Sequence, residues 1–258
     1  MENQKKIYFA SDFHLGLPNY ETSRQREDKI VRWLNSIKAD AAEIFLVGDI
    51  FDFWFEYAMV VPKGFVRLQG AIAALTDAGI PVHFFKGNHD LWMFTYFQKE
   101  LGVQLHSEPI EREFNGKRFF IGHGDGLGPG DYKYKLLKRF FRGRLCQWLF
   151  ARLHPNFGIG LASLLSRRSR ANGGSKDAQY TGPQDEWLFQ YVQEQAQTKH
   201  HDFYIFGHRH LVLDVQLETA RYINLGEWLN GSQYAVFDGQ TLDLLNWPNN
   251  TPAQPKNV

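Results

Sequence analysis

The chain carries a single cysteine, Cys146, in 258 residues. One thiol closes no internal disulfide and builds no cysteine-based metal site, so a reducing compartment is expected. Cys146 itself reads as a partly buried small hydrophobe. Long apolar runs are also missing. The first one breaks at Asp12, too early for a signal-peptide core or a bilayer span, and a cytoplasmic protein is therefore expected. No repeat at solenoid spacing occurs. The third absence is local: residues 132–176 hold four lysines and seven arginines but no aspartate or glutamate. With 29 basic and 28 acidic residues in all, the remainder carries 18 against 28, a net of −10. Such segregation of sign suggests an anionic partner.

At 43% hydrophobic and 22% charged, the chain can bury one large core. The expectation is one domain over residues 1–247, interrupted by a basic insertion at about 131–176 and followed by a flexible Asn- and Pro-rich tail at 248–258. Short apolar runs at 7–10, 44–47, 82–85, 119–121 and 203–206 predict buried strands. Helical spacing of Ile30, Trp33, Leu34 and Ile37 predicts a helix over 24–39, and Leu68, Ile72 and Leu75 predict another over 65–78. Late strands are expected at 222–225, 233–237 and 242–247, separated by Asn230-Gly231 and Asp238-Gly239 turns. The fold class is α/β, a sandwich of two sheets with helices outside.

Each early strand runs into a polar cluster: Asp12-Phe13-His14, Gly48-Asp49, Gly87-Asn88-His89-Asp90, Gly122-His123-Gly124-Asp125 and Gly207-His208-Arg209-His210. Loops at strand C-termini emerge side by side and can converge on one point. Carboxylate, imidazole and amide donors suit borderline divalent ions such as Mn²⁺, Fe²⁺ or Zn²⁺. Asp12 and His14, two apart, face the same way if that segment is extended, and His208 and His210 repeat the spacing. Two ions about 3.5–4 Å apart need a bridging carboxylate, a role assigned to Asp49, with Asn88 and His123 completing the donors around the second ion. A dinuclear centre of this kind points to phosphoester hydrolysis. His83, His106, His154, His200 and His201 lie outside the clusters and read as surface or packing residues.

In the insertion, apolar residues recur at helical spacing between cations from Tyr132 to Leu153, Pro155 breaks the run, and residues 159–165 form a second apolar stretch ending in Arg167-Arg168-Ser169-Arg170. Phe140, Phe141, Trp148, Phe150 and Leu164 exceed what one packing face needs. Two basic amphipathic helices are expected, forming a lid that meets lipid or a membrane surface.

Over nearly its whole length, on the five clusters quoted above, the chain resembles the calcineurin-like metallophosphoesterases. The resemblance implies a four-layer αββα sandwich with a helical lid and two Mn²⁺-like ions. One would be held by Asp12, His14, Asp49 and His210, the other by Asp49, Asn88, His123 and His208, with phosphorus attacked by a water that the cations activate. His89 is then the catalytic candidate to protonate or hydrogen-bond the leaving oxygen, with Asp90 fixing its tautomer. Asp52 and Asp125 would support these groups or cap loops.

The insertion resembles the lid of the UDP-2,3-diacylglucosamine pyrophosphatases of lipid A synthesis. Ser11-Asp12-Phe13-His14-Leu15-Gly16, Phe51-Asp52-Phe53-Trp54, Asp131, Tyr134 and Arg170-Ala171-Asn172 carry that likeness. It implies cleavage of a UDP-linked diacyl sugar, with Asn88, His89, Asp131, Tyr134, Arg170 and Lys176 as substrate contacts and a peripheral seat on the cytoplasmic face of the inner membrane. The best-known branch of those enzymes has arginine where this chain has His89, and histidine is the broader metallophosphoesterase pattern. The competing reading is a phosphodiesterase or nuclease whose basic segment tracks a nucleic-acid backbone. Large apolar residues among the cations favour lipid, so no nucleic-acid partner is expected.

Overall fold

A computed structural model describes residues 5–129, 132–177, 182 and 186–255, and only the backbone of residues 133, 167 and 169–177. In strand β1 (Lys6–Ala10), side chains alternate: Tyr8 and Ala10 join one apolar cluster, Ile7 and Phe9 another. Strands β2 (Ala41–Leu46) and β3 (Val82–Phe85) divide in the same way, Ile44, Leu46, Val82 and Phe84 on one face, Phe45 and Phe85 on the other. A strand buried on both faces reads as an unbroken apolar run, which is why these were visible in the sequence.

Helices cover the first face: α1 (Tyr20–Ile37) through Ile30, Trp33, Leu34 and Ile37, α2 (Val66–Thr76) through Leu68, Ile72 and Leu75, and the short α3 (Tyr96–Leu101) through Phe97. Helix α1 starts four residues ahead of the expected Arg24 because the Asn19 side chain accepts from Thr22 N at 2.9 Å and caps it. The second face packs on another sheet, through Phe119 and Ile121 of β6 (Lys117–Ile121), Ile205 of β7 (Phe203–Phe206) and Ile223 of β9 (Arg221–Leu225). Phe9 and Phe119 stack across that gap with centroids 5.9 Å apart. On the outer face of the second sheet, Tyr204, Phe206 and Tyr222 meet Leu188, Phe189 and Val192 of α7 (Trp187–Thr198). Helix, sheet, sheet, helix is the four-layer order expected.

The first sheet runs β12-β11-β10-β1-β2-β3-β4, and the second β5-β6-β7-β9-β8. Here β4 is Gln104–His106, β5 Ile110–Phe114, β8 Val212–Gln216, β10 Gln233–Phe237, β11 Leu242–Asn246 and β12 Thr251–Pro252. Strands β1, β2 and β3 are parallel, as are β6 and β7, so each group delivers its loops to one edge. The tail expected to be flexible after Pro248 is a correction up to residue 255. Strand β12 pairs with β11, Ala253 is buried, and its N–H bonds Leu244 O at 2.8 Å. Backbone pairing on a sheet edge needs no apolar sequence signal.

The insertion forms three helices where two were expected. Gly143 separates α4 (Tyr132–Phe141) from α5 (Arg144–Phe150), and α6 (Pro155–Asp177) runs on through the arginine cluster. Pro155 does end the preceding run, but it also opens α6, where a missing N–H costs nothing. Among the described residues, no helix is long and apolar enough to cross a membrane.

Candidate metal centre

Five loops converge. Nε2 of His14 and Nε2 of His210 face each other at 3.0 Å, and Oδ1 of Asp12 lies 3.6 Å from the first and 3.3 Å from the second. On the other side, Nε2 of His123 is 3.3 Å from Asn88 Oδ1, which in turn lies 2.8 Å from Nδ1 of His208. Between the two groups stands Asp49, whose Oδ2 is 3.8 Å from His14 Nε2 and 3.4 Å from His123 Nε2. Among the described residues three groups could hold a metal ion, each with donor atoms within 4.8 Å of one another: Asp12–His14–Asp49–His210 and Asp49–His123–His208, which share Asp49, and His14–Asp52–His89 beside them. The seven residues picked out as ligands meet at one place.

The backbone does this differently from the extended segment expected. Asp12, His14, Asp49, His208 and His210 all have positive φ, between 44° and 69°. Non-glycine residues enter that region at a cost, so the turns must be imposed from outside. Backbone bonds do so: Asp12 N donates to Gly48 O, His14 N to Asp49 O and Trp228 N to Asp12 O, at 3.0–3.1 Å. Gly87 is required for a different reason, since a Cβ there would collide with Asp49 Oδ1.

Hydrogen bonds aim the ligand atoms. Oδ1 of Asp49 accepts from His89 N and Oδ2 of Asp12 from His208 N, which turns the other oxygen of each carboxylate toward the centre. His123 Nδ1 faces Val47 O at 2.8 Å, so it carries a proton and turns Nε2 toward the centre. Arg209, between His208 and His210, turns away to a buried pair with Glu186 at 2.9 Å.

Charge inside the protein is unbalanced in a way that divalent ions would correct. Burial pushes carboxylates up, yet the imidazoles of His14 and His210 hold Asp12, and those of His123 and His89 hold Asp49, far below the ordinary range. Burial would lower His123, but Asp49 outweighs it and raises the imidazole to about 10. Burial keeps His14 at about 4, and burial with His123 beside it keeps His208 at about 3. Oδ1 of Asp12 is buried with no hydrogen-bond donor among the described residues. Anionic oxygen and neutral imidazole nitrogen around two adjoining points fit a pair of divalent ions. One outcome follows. A proton held on His123 must leave before a cation binds, so binding releases protons and tightens as pH rises from 6 toward 8, by up to about tenfold per unit. Calorimetry of metal binding in buffers of differing ionisation enthalpy reads the released proton directly.

His89 lies beside this centre, its ring 5.0 Å from that of His14. The expectation that Asp90 fixes its tautomer is corrected. Both Asp90 oxygens accept backbone amides, Oδ1 from Gly87 and Oδ2 from Ile50 and Phe51, fastening the β2 and β3 loops together. Burial and the charge of Asp49 raise Asp90 to about 7. It is Asp52 that meets His89 Nδ1, through its carbonyl at 3.1 Å and its carboxylate at 3.3 Å. Ser166 of α6 completes the group, 3.2 Å from both Asp52 carboxylate oxygens and 3.4 Å from the imidazole. Nothing in the sequence marked Ser166. Only a lid helix folded back over the β2 loop brings it there.

A cavity of about 770 Å³ opens from Asn88 and His89 into the lid. Its walls are Phe53, Trp54 and Trp92 of the sandwich and Leu137, Phe140, Phe141, Leu149, Phe150, Leu161 and Leu165 of the lid. Cys146 lines it as the small hydrophobe expected. Tyr134, an expected substrate contact, lines it too and donates to Asp125 at 2.7 Å, while Lys138 pairs with the same carboxylate at 2.7 Å. Trp148 does not line it: about half exposed, it lies under the Arg152 guanidinium at 5.0 Å. Asp131 and the side chains of Arg170 and Lys176 lie outside the described residues.

The family model of the calcineurin-like phosphoesterases matches residues 5–212. The chain belongs to that family. Among curated relatives of this calcineurin-like phosphoesterase, the UDP-2,3-diacylglucosamine hydrolase of Porphyromonas gingivalis is 40% identical over 93% of this chain and 97% of its own. That of Vibrio atlanticus is 28% identical over the same shares, and that of Haemophilus influenzae 26% identical over 87% and 91%. The family implies divalent metal ions, and this chain holds candidate clusters of donors for them.

Proposed function

We propose that this calcineurin-like phosphoesterase cleaves the diphosphate of UDP-2,3-diacylglucosamine, giving UMP and 2,3-diacylglucosamine 1-phosphate (lipid X) in lipid A synthesis. One observation carries the reading: the cavity is a single space with Asn88 and His89 at its floor and an apolar lid above. A diphosphate bound at the floor would leave two acyl chains in the lid, where transfer of each CH₂ from water contributes about 0.8 kcal/mol. The relatives named for this activity span the lid as well as the sandwich, which supports the same choice.

Asp12, His14, Asp49 and His210 would hold one ion and Asp49, Asn88, His123 and His208 the other, with Mn²⁺ suited to such mixed nitrogen and oxygen donors. Bound there, the ions supply water activation near neutral pH and neutralise charge growing on the phosphoryl oxygens. Asp52 orients His89 so that its Nε2 can bond a phosphoryl or leaving oxygen. Tyr134 offers a hydroxyl at the cavity wall, and Asp131, Arg170 and Lys176 would hold the sugar and the phosphates. The basic, apolar lid fits a cytoplasmic enzyme seated on the inner membrane, where such a substrate resides.

Incubation with UDP-2,3-diacylglucosamine and Mn²⁺ in detergent micelles, followed by mass spectrometry, is expected to show UMP and the diacyl sugar 1-phosphate. UDP with free diacyl sugar, or turnover of single-stranded DNA without turnover of the lipid, would refute the assignment.

A further inference from the structure

The segment joining β2 to α2 contributes a surface that the catalytic cavity does not use. Met59 is 92% exposed, Val60 46% and Val66 71%, in a stretch where isolated exposure of so much apolar side chain is not offset by packing. Its base is fixed. Pro62 is buried, Tyr57 N donates to Val60 O at 3.0 Å, and the Tyr57 ring lies 6.4 Å from that of Phe150 in α5. The backbone of Gly158 in α6 passes the Tyr57 hydroxyl, so the tip stands beside the α5–α6 corner, where Trp148 is 53% and Phe157 60% exposed.

Charge selects the occupant. Lys63 and Arg67 are exposed next to the tip, and the adjoining lid helices bring cations without a single acidic residue across 132–176. The acid nearest in sequence, Glu56, is turned inward, accepting from Thr95 N at 2.7 Å and Tyr96 N at 3.1 Å, and Glu27 is taken up by the amides of Arg67 and Leu68. Apolar tips ringed by cations match an anionic bilayer surface, where chains insert below the headgroups and ammonium and guanidinium groups meet the phosphates. We propose that the loop carrying Met59 and Val60 is a membrane-inserting anchor that, with the α5–α6 corner, sets the mouth of the cavity against anionic phospholipid. The inference rests on the lipid reading above but is tested apart from it.

The experiment is co-sedimentation of the full chain with phosphatidylethanolamine vesicles, with and without phosphatidylglycerol. Wild type is expected to bind the anionic vesicles, and Met59→Ser with Val60→Ser to bind about tenfold or more weakly, as loss of two buried apolar side chains requires. Hydrolysis of the soluble diester bis(p-nitrophenyl) phosphate should be unchanged, which shows the variant folded. Equal binding by wild type and variant, no binding by wild type, or a dimer of wild type that the variant dissociates would each overturn the proposal. Failure of lipid hydrolysis alongside intact vesicle binding would instead count against the substrate assignment.

Discussion

Asp49→Ala should lose metal-dependent hydrolysis by a factor of at least about a thousand, equivalent to about 4 kcal/mol of transition-state stabilisation. The size follows from position. Oδ2 of Asp49 faces both donor groups, so on the proposed assignment its loss would remove a donor from each ion and the carboxylate the two groups share. His123 would then also lose the anion that raises it. Asp49→Asn separates the two roles: its amide oxygen can still accept from His89 N, as Asp49 Oδ1 does now, but the charge is gone. Steady-state rates across a Mn²⁺ titration, with bound metal counted by elemental analysis, check both variants. Full activity in either, with two ions bound, would contradict the bridging assignment.

The second large effect lies in the lid. Phe141→Ser with Phe150→Ser should lower kcat/KM for the diacyl substrate by about a hundredfold, while a soluble diester changes little. Both rings line the cavity, and Phe150 also touches Phe53, Phe55 and Trp92 at centroid distances of 4.7–5.9 Å. Each buried aromatic contributes about 1.5–3 kcal/mol to apolar contact, and the pair exceeds the 2.7 kcal/mol that a hundredfold requires. Parallel losses on lipid and soluble substrates would mean that the lid supports the centre and not the acyl chains.

Much of this was readable from the chain because two signals are local. Strands buried on both faces give unbroken apolar runs, and a ligand must sit directly after the run that delivers it, as Asp49 follows Leu46 by three residues. Elements exposed on one side gave weaker signals: β5 alternates half-buried with exposed residues, and α3 has only six residues. The pairing of His89 with Asp52 in place of its neighbour Asp90 was hidden, because adjacency in sequence says nothing of where a side chain turns. Asp90 faces the amides of Gly87, Ile50 and Phe51, while Asp52 arrives from another loop. The left-handed turns at Asp12 and His14 were equally hidden, since neither residue type announces them and the supporting bonds come from the next strand's loop.

The insertion joins the sandwich through polar contacts of Asp125 with Tyr134 and Lys138, Trp92 with the Phe141 carbonyl, Arg142 with Ser107 and Glu108, and Asp52 with Ser166, and through Phe150 against Phe53, Phe55 and Trp92. None of the seven candidate metal ligands lies within it. On the proposed function, the insertion would shape selectivity, and of the groups near the centre it contributes Ser166. A different hood on the same moorings, keeping a hydroxyl at position 166, is then expected to redirect hydrolysis toward other phosphoesters.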